Sequence, residues 1–552
     1  MTATPTAVPS SPCCKMGVPL WESLWTGPGE PSRPALCCGD LTWTFERLLL
    51  EIRRTEAALR LRGVRPGDLV TILSLNTPET VAAVYAIDRI GAAADFVDMK
   101  LSPAEVEGYL TRSGSRVVFV LEPAFPKVYR NRGQAPAETF VVLPAGPYVS
   151  PELASKLKAG RWRERAGEDC LSWREFQTAP VDCPPESARW EEPAVITYTG
   201  GTTGPAKGVA LSRRALYASL EQYTASGTET GPGASALTLL PVFSAFGLTQ
   251  CIHIPLCLGM TVILAPFFQP WQLRELLERY CPEQVNGTTA YWRLLLRQEE
   301  GCGDLSFLKN PRCGGDVIQP ELERQVNGFL IRHGCKSPLV IEYGMSEVCG
   351  IVCLSWGEPR REGTVGRPLP GCEIVAADPD TGRQLPAGEQ GELLIRSPTG
   401  MNGYYGRPED DGQVLRPGPG GKRWVWTGDL GFVSEDGLVT VTGRIKRMIS
   451  RNGFKIFPVV IEDCILGSGL AEACAVVGGE SPKGETLPVA HVVLKPGTEP
   501  SEAEAALAER CRALLNVYLI PAAYRFRDAL PLTERGKLDH RALESETANV
   551  LL

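Results

Sequence analysis

The chain has few histidines, no excess of basic residues and no Cys-x-x-Cys pair of the metal-binding kind. Among its 552 residues, four are histidine, and 64 acidic residues outnumber 57 basic ones, for a net charge of −7. None of its 18 cysteines forms a Cys-x-x-Cys pair. The acidic balance argues against a nucleic-acid partner, and the cysteine spacing argues against zinc or iron–sulfur ligation. We interpret the cysteines as reduced thiols.

The sequence also lacks a long apolar run. The stretch 252–268 contains a histidine, prolines and a glycine, and it falls short of the roughly 20 apolar residues that a spanning helix needs. Residues 1–11 lack the basic start and apolar centre of a secretory signal. We therefore expect a cytoplasmic protein without a membrane span, and the length predicts at least two domains.

Helical and strand patterns alternate through most of the chain. Apolar residues at helical spacing are found in residues 48–62, 78–90, 212–223, 247–258 and 269–280. Short apolar runs typical of buried strands are residues 69–75, 92–97, 117–121, 237–240 and 261–264. This order predicts an α/β fold in which helices cover the faces of parallel sheets.

The predicted secondary structure changes twice in the later part of the chain. From residue 363 onward, short strands separated by turns predict a β-rich subdomain. Beyond residue 443, helix and strand patterns over about 110 residues predict a small α+β domain. Residues 123–193 mix prolines with basic residues, and we interpret them as an excursion at the surface.

A glycine- and threonine-rich segment follows the apolar residues 194–196. Its candidate phosphate-binding residues are Thr199, Gly200, Gly201, Thr202, Thr203, Gly204 and Lys207. Glycines let backbone N–H groups approach an anion, hydroxyls can donate, and the lysine adds positive charge. The segment is not a P-loop, because Gly208 stands where that motif has serine or threonine. Taken alone, it could also be a flexible turn.

Five segments in order carry a family resemblance. They are residues 199–208, 343–347 (Tyr-Gly-Met-Ser-Glu), 426–430 (Trp-Thr-Gly-Asp-Leu), 443–446 (Gly-Arg-Ile-Lys) and 532–538 (Leu-Thr-Glu-Arg-Gly-Lys-Leu). In this order they resemble the segments of adenylate-forming enzymes. That superfamily comprises acyl- and aryl-CoA synthetases, peptide-synthetase adenylation domains and firefly-type luciferases. The resemblance covers roughly residues 40–545 and is greatest to AMP-forming acyl-CoA synthetases.

The resemblance implies a two-step ligase. A carboxylate attacks the α-phosphorus of ATP and releases pyrophosphate, and the acyl-adenylate then passes its acyl group to a thiol. It implies ATP, Mg²⁺ and coenzyme A, or the phosphopantetheine of a separate acyl carrier protein. It also implies a large N-terminal domain over residues 1–442, a hinge at 443–446 and a small mobile domain over 447–552.

The resemblance assigns roles to single residues. Lys537, Thr202 and Glu347 are implied to be catalytic, with Glu347 and Thr202 holding the metal ion. The nucleotide-binding set adds to the loop residues and Lys537 the residues Gly315, Asp316, Glu342, Tyr343, Gly344, Met345, Ser346, Asp429 and Arg444. Lys446 is implied to act at the hinge, and Gly453 in the loop that faces the thiol.

The acyl pocket is expected at Phe243, Ser244, Phe246, Asn286 and Gly287, which favour a fatty or aryl acid. Ser244 stands where amino-acid-activating members carry an aspartate, so the ammonium group of a free amino acid would lie unpaired there. Ser346 replaces the usual threonine and keeps the hydroxyl. A freestanding ligase that loads a carrier protein, and an inactive adenylate-binding scaffold, remain as alternatives.

Overall fold

A computed structural model describes most of the chain. The described residues are 20–24, 30–133, 135–157, 160–178, 189–199, 206–228, 230–357, 360–451, 454–481, 485–533 and 538–548. Within them the strands form sheets of nine, eight, five, three and two strands. No helix in this described part is long and apolar enough to cross a bilayer.

The eight-stranded sheet is parallel along most of its width. In spatial order its strands are Gly403–Tyr404, Gly208–Ser212, Pro193–Tyr198, Ala93–Phe96, Leu69–Leu73, Val117–Leu121, Thr139–Leu143 and Cys170–Ser172. The first two strands run antiparallel to their neighbours, and the other pairs are parallel. The central strands are buried on both faces, which explains their unbroken apolar runs.

The nine-stranded sheet is likewise parallel at its centre and antiparallel at both edges. In spatial order its strands are Arg367–Pro368, Cys353–Leu354, Val340–Tyr343, Asn310–Gly314, Gln284–Gly287, Ser235–Thr238, Thr261–Leu264, Pro34–Cys38 and Leu41–Thr44. The carboxyl ends of its parallel strands meet at one edge. Ligands of open α/β sheets bind at such an edge.

Helices cover both sheets, and several begin where the sequence supplies a cap. The Ser102 hydroxyl accepts a hydrogen bond from the backbone N–H of Glu105. The Glu105 carboxylate in turn accepts one from the backbone N–H of Ser102, which completes a capping box. The α-helices are Leu20–Ser23, Phe45–Leu61, Pro78–Ile90, Pro103–Ser113, Phe125–Arg130, Pro151–Lys156, Trp173–Phe176, Arg213–Ala225, Ala245–Leu248, Ile254–Cys257, Leu273–Tyr280, Thr289–Arg297, Pro320–Arg332, Pro408–Val414, Pro458–Leu466, Pro500–Leu514 and His540–Ala548. A π-helical turn, Thr249–His253, joins Ala245–Leu248 to Ile254–Cys257.

The remaining sheets build the β-rich subdomain and the small domain. The five-stranded sheet consists of Glu373–Ala377, Gly391–Arg396, Leu415–Pro417, Arg423–Val433 and Val439–Arg444. The small domain contains the sheet of Ala471–Glu480, Thr486–Leu494 and Ala523–Phe526, and the hairpin of Ile449–Arg451 and Phe454–Ile456. The helices Pro458–Leu466 and Pro500–Leu514 contribute to its apolar core.

The expected fold class is confirmed, and several predicted elements have the expected bounds. The helix at 78–90 and the strands at 117–121 and 261–264 coincide with the prediction. Local apolar periodicity sufficed there because each element is long or continuously apolar.

The interpretation of residues 123–193 as a surface excursion is wrong for much of that segment. Thr139–Leu143 and Cys170–Ser172 extend the eight-stranded sheet, and Phe125, Phe140 and Phe176 are fully buried. The strand 139–143 contains a run of four apolar residues after a threonine, and the surrounding prolines and basic residues obscured it. The segment therefore belongs to the core of the large domain.

A buried polar network fixes the strands beneath the expected site. Arg312 is fully buried and its Nη1 lies 2.9 Å from Glu342 Oε1, while Asn286 donates to Glu342 Oε2 at 3.2 Å. Nη2 of the same arginine donates to the hydroxyl of Tyr223 at 2.6 Å. Burial raises the pKa of Glu342, and the charge of Arg312 opposes that rise. The network links strands 284–287, 310–314 and 340–343 to a covering helix.

We expect Arg312→Met to destabilise the large domain by about 3–5 kcal/mol, because it leaves the Glu342 carboxylate buried without its cation. The double variant Arg312→Met and Glu342→Met should regain most of that loss. Urea unfolding of each variant measures the difference. A single variant as stable as the double variant would show that the pair does not hold the strands.

Candidate active site

The glycine-rich segment connects two antiparallel strands. Tyr198 lies opposite Gly208, and the backbone N–H of Thr199 donates to the carbonyl of Lys207 at 3.0 Å. Both ends of the segment are therefore fixed by the eight-stranded sheet. Gly200, Gly201, Thr202, Thr203 and Gly204 lie outside the described residues.

The first end of this segment is anchored by a hydrogen bond from Tyr198 to a buried carboxylate of the neighbouring strand. The hydroxyl of Tyr198 donates to Asp95 Oδ1 at 2.9 Å, and Thr71 donates to the other carboxylate oxygen at 3.3 Å. Burial raises the pKa of Asp95 to about 6. A fully buried acceptor thus holds the tyrosine that precedes Thr199.

The second end is anchored by the neighbouring helix Pro408–Val414. Lys207 Nζ lies 3.3 Å from Asp410 Oδ1 and donates to Gln413 Oε1 at 3.0 Å. The same ammonium group lies 4.9 Å from the centre of the Tyr404 ring. Lys207 therefore lies beside Tyr404, whose hydroxyl donates to Glu347.

Glu347 lies in a short 3₁₀ turn, Ser346–Val348, just beyond the strand Val340–Tyr343. Its side chain is only 6% exposed, and its Oε1 accepts a hydrogen bond from the hydroxyl of Tyr404 at 2.8 Å. Burial raises the pKa of Glu347, and this hydrogen bond opposes the rise. A nearby cation strongly stabilises the ionised form of such a desolvated carboxylate.

The backbone before Glu347 is tightly packed. A Cβ atom on Gly344 would lie 1.9 Å from the carbonyl oxygen of Gly350, so only glycine fits there. The carbonyl of Met345 accepts from the backbone N–H groups of Val348 and Gly350. These contacts set the path by which Ser346 and Glu347 reach the edge of the sheet.

Tyr343, Asp429 and Arg444 form one hydrogen-bonded group. The Tyr343 hydroxyl donates to Asp429 Oδ2 at 2.9 Å, and Arg444 Nε lies 2.8 Å from Asp429 Oδ1. Asp429 and Arg444 are direct partners across antiparallel strands of the five-stranded sheet. The Asp429 carboxylate raises the pKa of Arg444. The nucleotide-binding residues predicted on separate segments are thus in contact.

Two predicted residues have their side chains in the buried network of Arg312. Glu342 and Asn286 were expected at the nucleotide and the acyl group, yet they hydrogen-bond to each other. Gly315 has a φ of 83°, and the Asp316 carboxylate accepts from the backbone N–H of Val317 at 2.9 Å. Asp316 faces an open cavity, whereas Glu342 and Asn286 support the strands that surround it.

A cavity of about 690 Å³ lies where the two domains meet, and we name it the interdomain cavity. The large domain contributes Phe243, Tyr291 and Asp316 to its wall, and the small domain contributes Glu462 and Leu538. Apolar and aromatic side chains form much of the wall, so it fits an organic group better than a free ion.

The other residues of the expected acyl pocket do not line this cavity. Ser244 caps the helix Ala245–Leu248 by accepting from the N–H of Gly247 at 3.0 Å. A Cβ on Gly314 would lie 3.2 Å from Phe246, and one on Gly287 would lie 3.0 Å from Trp292. Gly287 therefore packs closely against Trp292, and Phe246 lies beside Gly314.

The two residues implied to act from the small domain lie outside the described residues. These are Lys537 and Gly453. A β-bridge joins Leu532 to Leu538, and both of these residues line the interdomain cavity. Lys446 lies in the 3₁₀ turn Ile445–Arg447, directly after the strand that ends at Arg444.

Sequence reasoning missed Tyr404, Asp410 and Gln413, which contact Glu347 and Lys207. Tyr404 is 57 residues from Glu347 in the chain, and no local spacing connects them. The one signal was the pair Tyr404–Tyr405 between two glycines, since adjacent aromatics beside turn residues are unusual at an exposed loop.

No group of three or more His, Cys, Asp or Glu side chains in the described ranges is arranged to hold a metal ion. Glu347 is a buried carboxylate at the site, and it could serve as a metal ligand. A metal ion there would need the remaining ligands from a bound phosphate and water, as Mg²⁺ often does.

Sequence and structure comparisons relate the chain to known proteins. A sequence profile described as "AMP-binding enzyme" matches residues 25–405, and one described as "AMP-binding enzyme C-terminal domain" matches residues 460–537. The long-chain-fatty-acid–CoA ligase of Bacillus subtilis (strain 168) is 28% identical over 536 residues, which are 94% of this chain and 93% of that protein.

A second relative, the fatty acid–acyl-carrier-protein ligase ScoC of Streptomyces coeruleorubidus, is 30% identical over 527 residues, with 93% of each chain covered. The fold is similar to the crystal structure of the anthranilate CoA ligase AuaEII in complex with anthranoyl-AMP. The TM-score is 0.84 at 24% identity, covering 97% of this chain and 98% of the other.

We expect Tyr404→Phe to lower the free energy of unfolding by about 1–3 kcal/mol, because it removes a hydrogen bond to a buried carboxylate. The folded-state pKa of Glu347 is above its ordinary value of 4.5, so its ionisation penalty is absent below that value and grows as pH rises. Removing the Tyr404 hydroxyl makes ionised Glu347 more costly in the folded state. The loss in free energy of unfolding should therefore be larger near about pH 8 than near about pH 5.

Tyr405→Phe is the matched control, because the Tyr405 hydroxyl has no hydrogen bond to another described residue. Urea unfolding at both pH values measures the two variants. Equal deficits for the two tyrosines, or a deficit for Tyr404→Phe that shrinks as pH rises, would contradict the assigned contact.

Proposed function

This chain belongs to the AMP-binding enzyme family, and we propose that it joins an apolar carboxylic acid, fatty or aryl, to a thiol by way of an acyl-adenylate. In the first step a carboxylate oxygen bonds to the α-phosphorus of ATP while the bond to pyrophosphate breaks. In the second step the thiol sulfur bonds to the acyl carbon, AMP leaves and the thiol proton is lost. The observation that carries this proposal is the contact of Asp429 with both Tyr343 and Arg444.

Asp429 is suited to bind the ribose. Its carboxylate is oriented by the Tyr343 hydroxyl and the Arg444 guanidinium. A carboxylate has about four acceptor positions, and we propose that the ribose hydroxyls donate to this group. The Tyr343 ring is fixed by its own hydrogen bond and can stack on adenine.

Glu347 and Thr202 are the residues we propose to hold Mg²⁺. Glu347 is buried with one hydrogen bond from Tyr404, and a cation would offset the cost of its desolvated charge. When bound, Mg²⁺ supplies charge neutralisation between the phosphate groups. The phosphate-binding role of residues 199–207 is supported by the anchoring of both ends of that segment.

Lys537 is the cation we propose at the α-phosphate. The β-bridge between Leu532 and Leu538 fixes the two sides of the segment that contains it, and both residues line the cavity that Phe243 and Asp316 also line. A lysine there would neutralise the charge that builds up as the carboxylate attacks phosphorus.

We propose coenzyme A as the thiol substrate, and a carrier-protein phosphopantetheine as the alternative. The CoA ligase of Bacillus subtilis supports the first, and the similarity to a fatty acid–acyl-carrier-protein ligase supports the second. The large-domain residues Glu347 and Asp429 argue against an inactive scaffold. We propose a cytoplasmic location, which is supported by cysteines that remain thiols throughout the described part of the chain.

The decisive experiment is pyrophosphate release with a panel of fatty, aryl and amino acids, with and without coenzyme A. We expect more release with fatty or aryl acids than with amino acids, because apolar and aromatic side chains form much of the cavity wall. Lys537→Ala should lower the rate by about 100- to 1,000-fold, the usual effect of removing one transition-state contact. Lys336→Ala, which removes an exposed lysine of the large domain, should have no effect.

Three results would contradict parts of this proposal. Release that is equal in Lys537→Ala and wild type would remove Lys537 from the mechanism. Thioester formation with a carrier protein and never with coenzyme A would replace the first thiol by the second. No release with any acid would favour the scaffold.

A further inference from the structure

One helix of the large domain contacts the small domain through two arginines. The helix Thr289–Arg297 carries Arg293 and Arg297 four residues apart, so both side chains leave the same face. Arg293 Nη1 donates to the backbone carbonyl of Glu472 at 2.8 Å, and Arg297 Nε pairs with the Glu472 carboxylate. We name these three residues the Glu472 clasp.

Glu472 can accept both contacts because it lies at a β-bulge. Ala471 pairs with Leu494 and Ala473 pairs with Val493, so Glu472 has no opposing residue on the neighbouring strand. A bulge of this kind frees the backbone of the extra residue and turns its side chain away from the regular alternation. The small domain therefore presents both a carbonyl and a carboxylate to the large domain at one residue.

The helix that carries the arginines is fixed to the active site. It begins directly after the strand Gln284–Gly287, and Trp292 Nε1 donates to the carbonyl of Arg312 at 3.0 Å. Arg293 Nη2 also donates to Gln319 Oε1 at 2.9 Å. The position of the clasp is therefore set by the strands that end at the site.

The clasp also lies at the interdomain cavity, where it connects the wall from the large domain to the wall from the small domain. Arg293 and Arg297 line this cavity together with Thr533 and Leu538, which flank the segment containing Lys537. In the orientation that the clasp holds, these small-domain residues share a cavity with Phe243 of the large domain.

We propose that Arg293 and Arg297 are positioning residues for adenylate formation, and that the Glu472 clasp holds the small domain in the orientation used for that first step. This inference rests on the proposed function. The thiol step requires the small domain to turn about the hinge, so the clasp must open between the two steps. Its strength then determines which half-reaction the enzyme favours.

The two contacts differ in ways that suit a clasp that opens. The Arg297 side chain is 48% exposed and that of Glu472 is 27% exposed, so water can replace this ion pair at little cost. The hydrogen bond from Arg293 to the carbonyl is more buried, so water competes with it less than with the ion pair.

The test uses charge reversal in the full-length enzyme. Arg297→Glu places a carboxylate against Glu472, and we expect pyrophosphate release to fall by about 5- to 30-fold. Thioester formation from purified acyl-adenylate and coenzyme A should be unchanged or faster, because that step needs the clasp open. The double variant Arg297→Glu with Glu472→Arg should recover the first step to within about 3-fold of wild type.

Arg332→Glu is the matched control. Arg332 Nη2 lies 2.8 Å from Glu299 within the large domain, and its exposure is similar to that of Arg297. Its reversal should leave both half-reactions unchanged. An equal fall of both half-reactions in Arg297→Glu, or no rescue in the double variant, would overturn the proposal.

A second readout needs no substrate. Dyes on unnatural amino acids at the exposed positions Leu61 and Leu514 report the distance between the domains by energy transfer. We expect Arg297→Glu to broaden or shift the distance distribution and Arg332→Glu to leave it unchanged. Distributions equal to wild type in both variants would overturn the clasp. If the wild type releases no pyrophosphate with any acid, the proposed function fails, and this readout still decides whether the clasp orients the domains.

Discussion

The carboxylate of Asp429 joins the parts of the structure that the chemistry requires. It accepts from Tyr343, at the end of a strand in the nine-stranded sheet, and from Arg444, at the end of the last strand in the five-stranded sheet. Glu347 follows Tyr343 by four residues, and the expected hinge includes Arg444. The buried Asp429 carboxylate thus connects two sheets. It also fixes the strand end that precedes Glu347 and the strand end that precedes the small domain.

The supports of the site are arranged in layers around this carboxylate. The network of Arg312 and Glu342 holds the strands from below, while Tyr198 and Lys207 fix the two ends of the phosphate-binding segment. Each support is buried or hydrogen-bonded, so the large domain is pre-organised. The Glu472 clasp differs, because its ion pair is partly exposed. Motion is therefore expected at the contact between the domains and not within the large domain.

The sequence allowed the prediction of elements and of short motifs, but not of contacts between distant segments. Helix 78–90 and strand 117–121 follow from local apolar patterns, and Asp429 and Glu347 follow from motif order. The contact of Tyr404 with Glu347, and the burial of Glu342 against Arg312, arise from strand pairing across long stretches of chain. Strand 139–143 was missed because its short apolar run lies among prolines and basic residues, where tertiary burial decides the structure.

The central claim is that a carboxylate attacks the α-phosphorus of ATP at this site. The most direct measurement supplies the acid with ¹⁸O in its carboxylate and follows the label by mass spectrometry. If an acyl-adenylate forms and is then cleaved by the thiol, one labelled oxygen appears in AMP, and the pyrophosphate carries none. Release of ADP with the label in orthophosphate would indicate an acyl phosphate and would contradict the account.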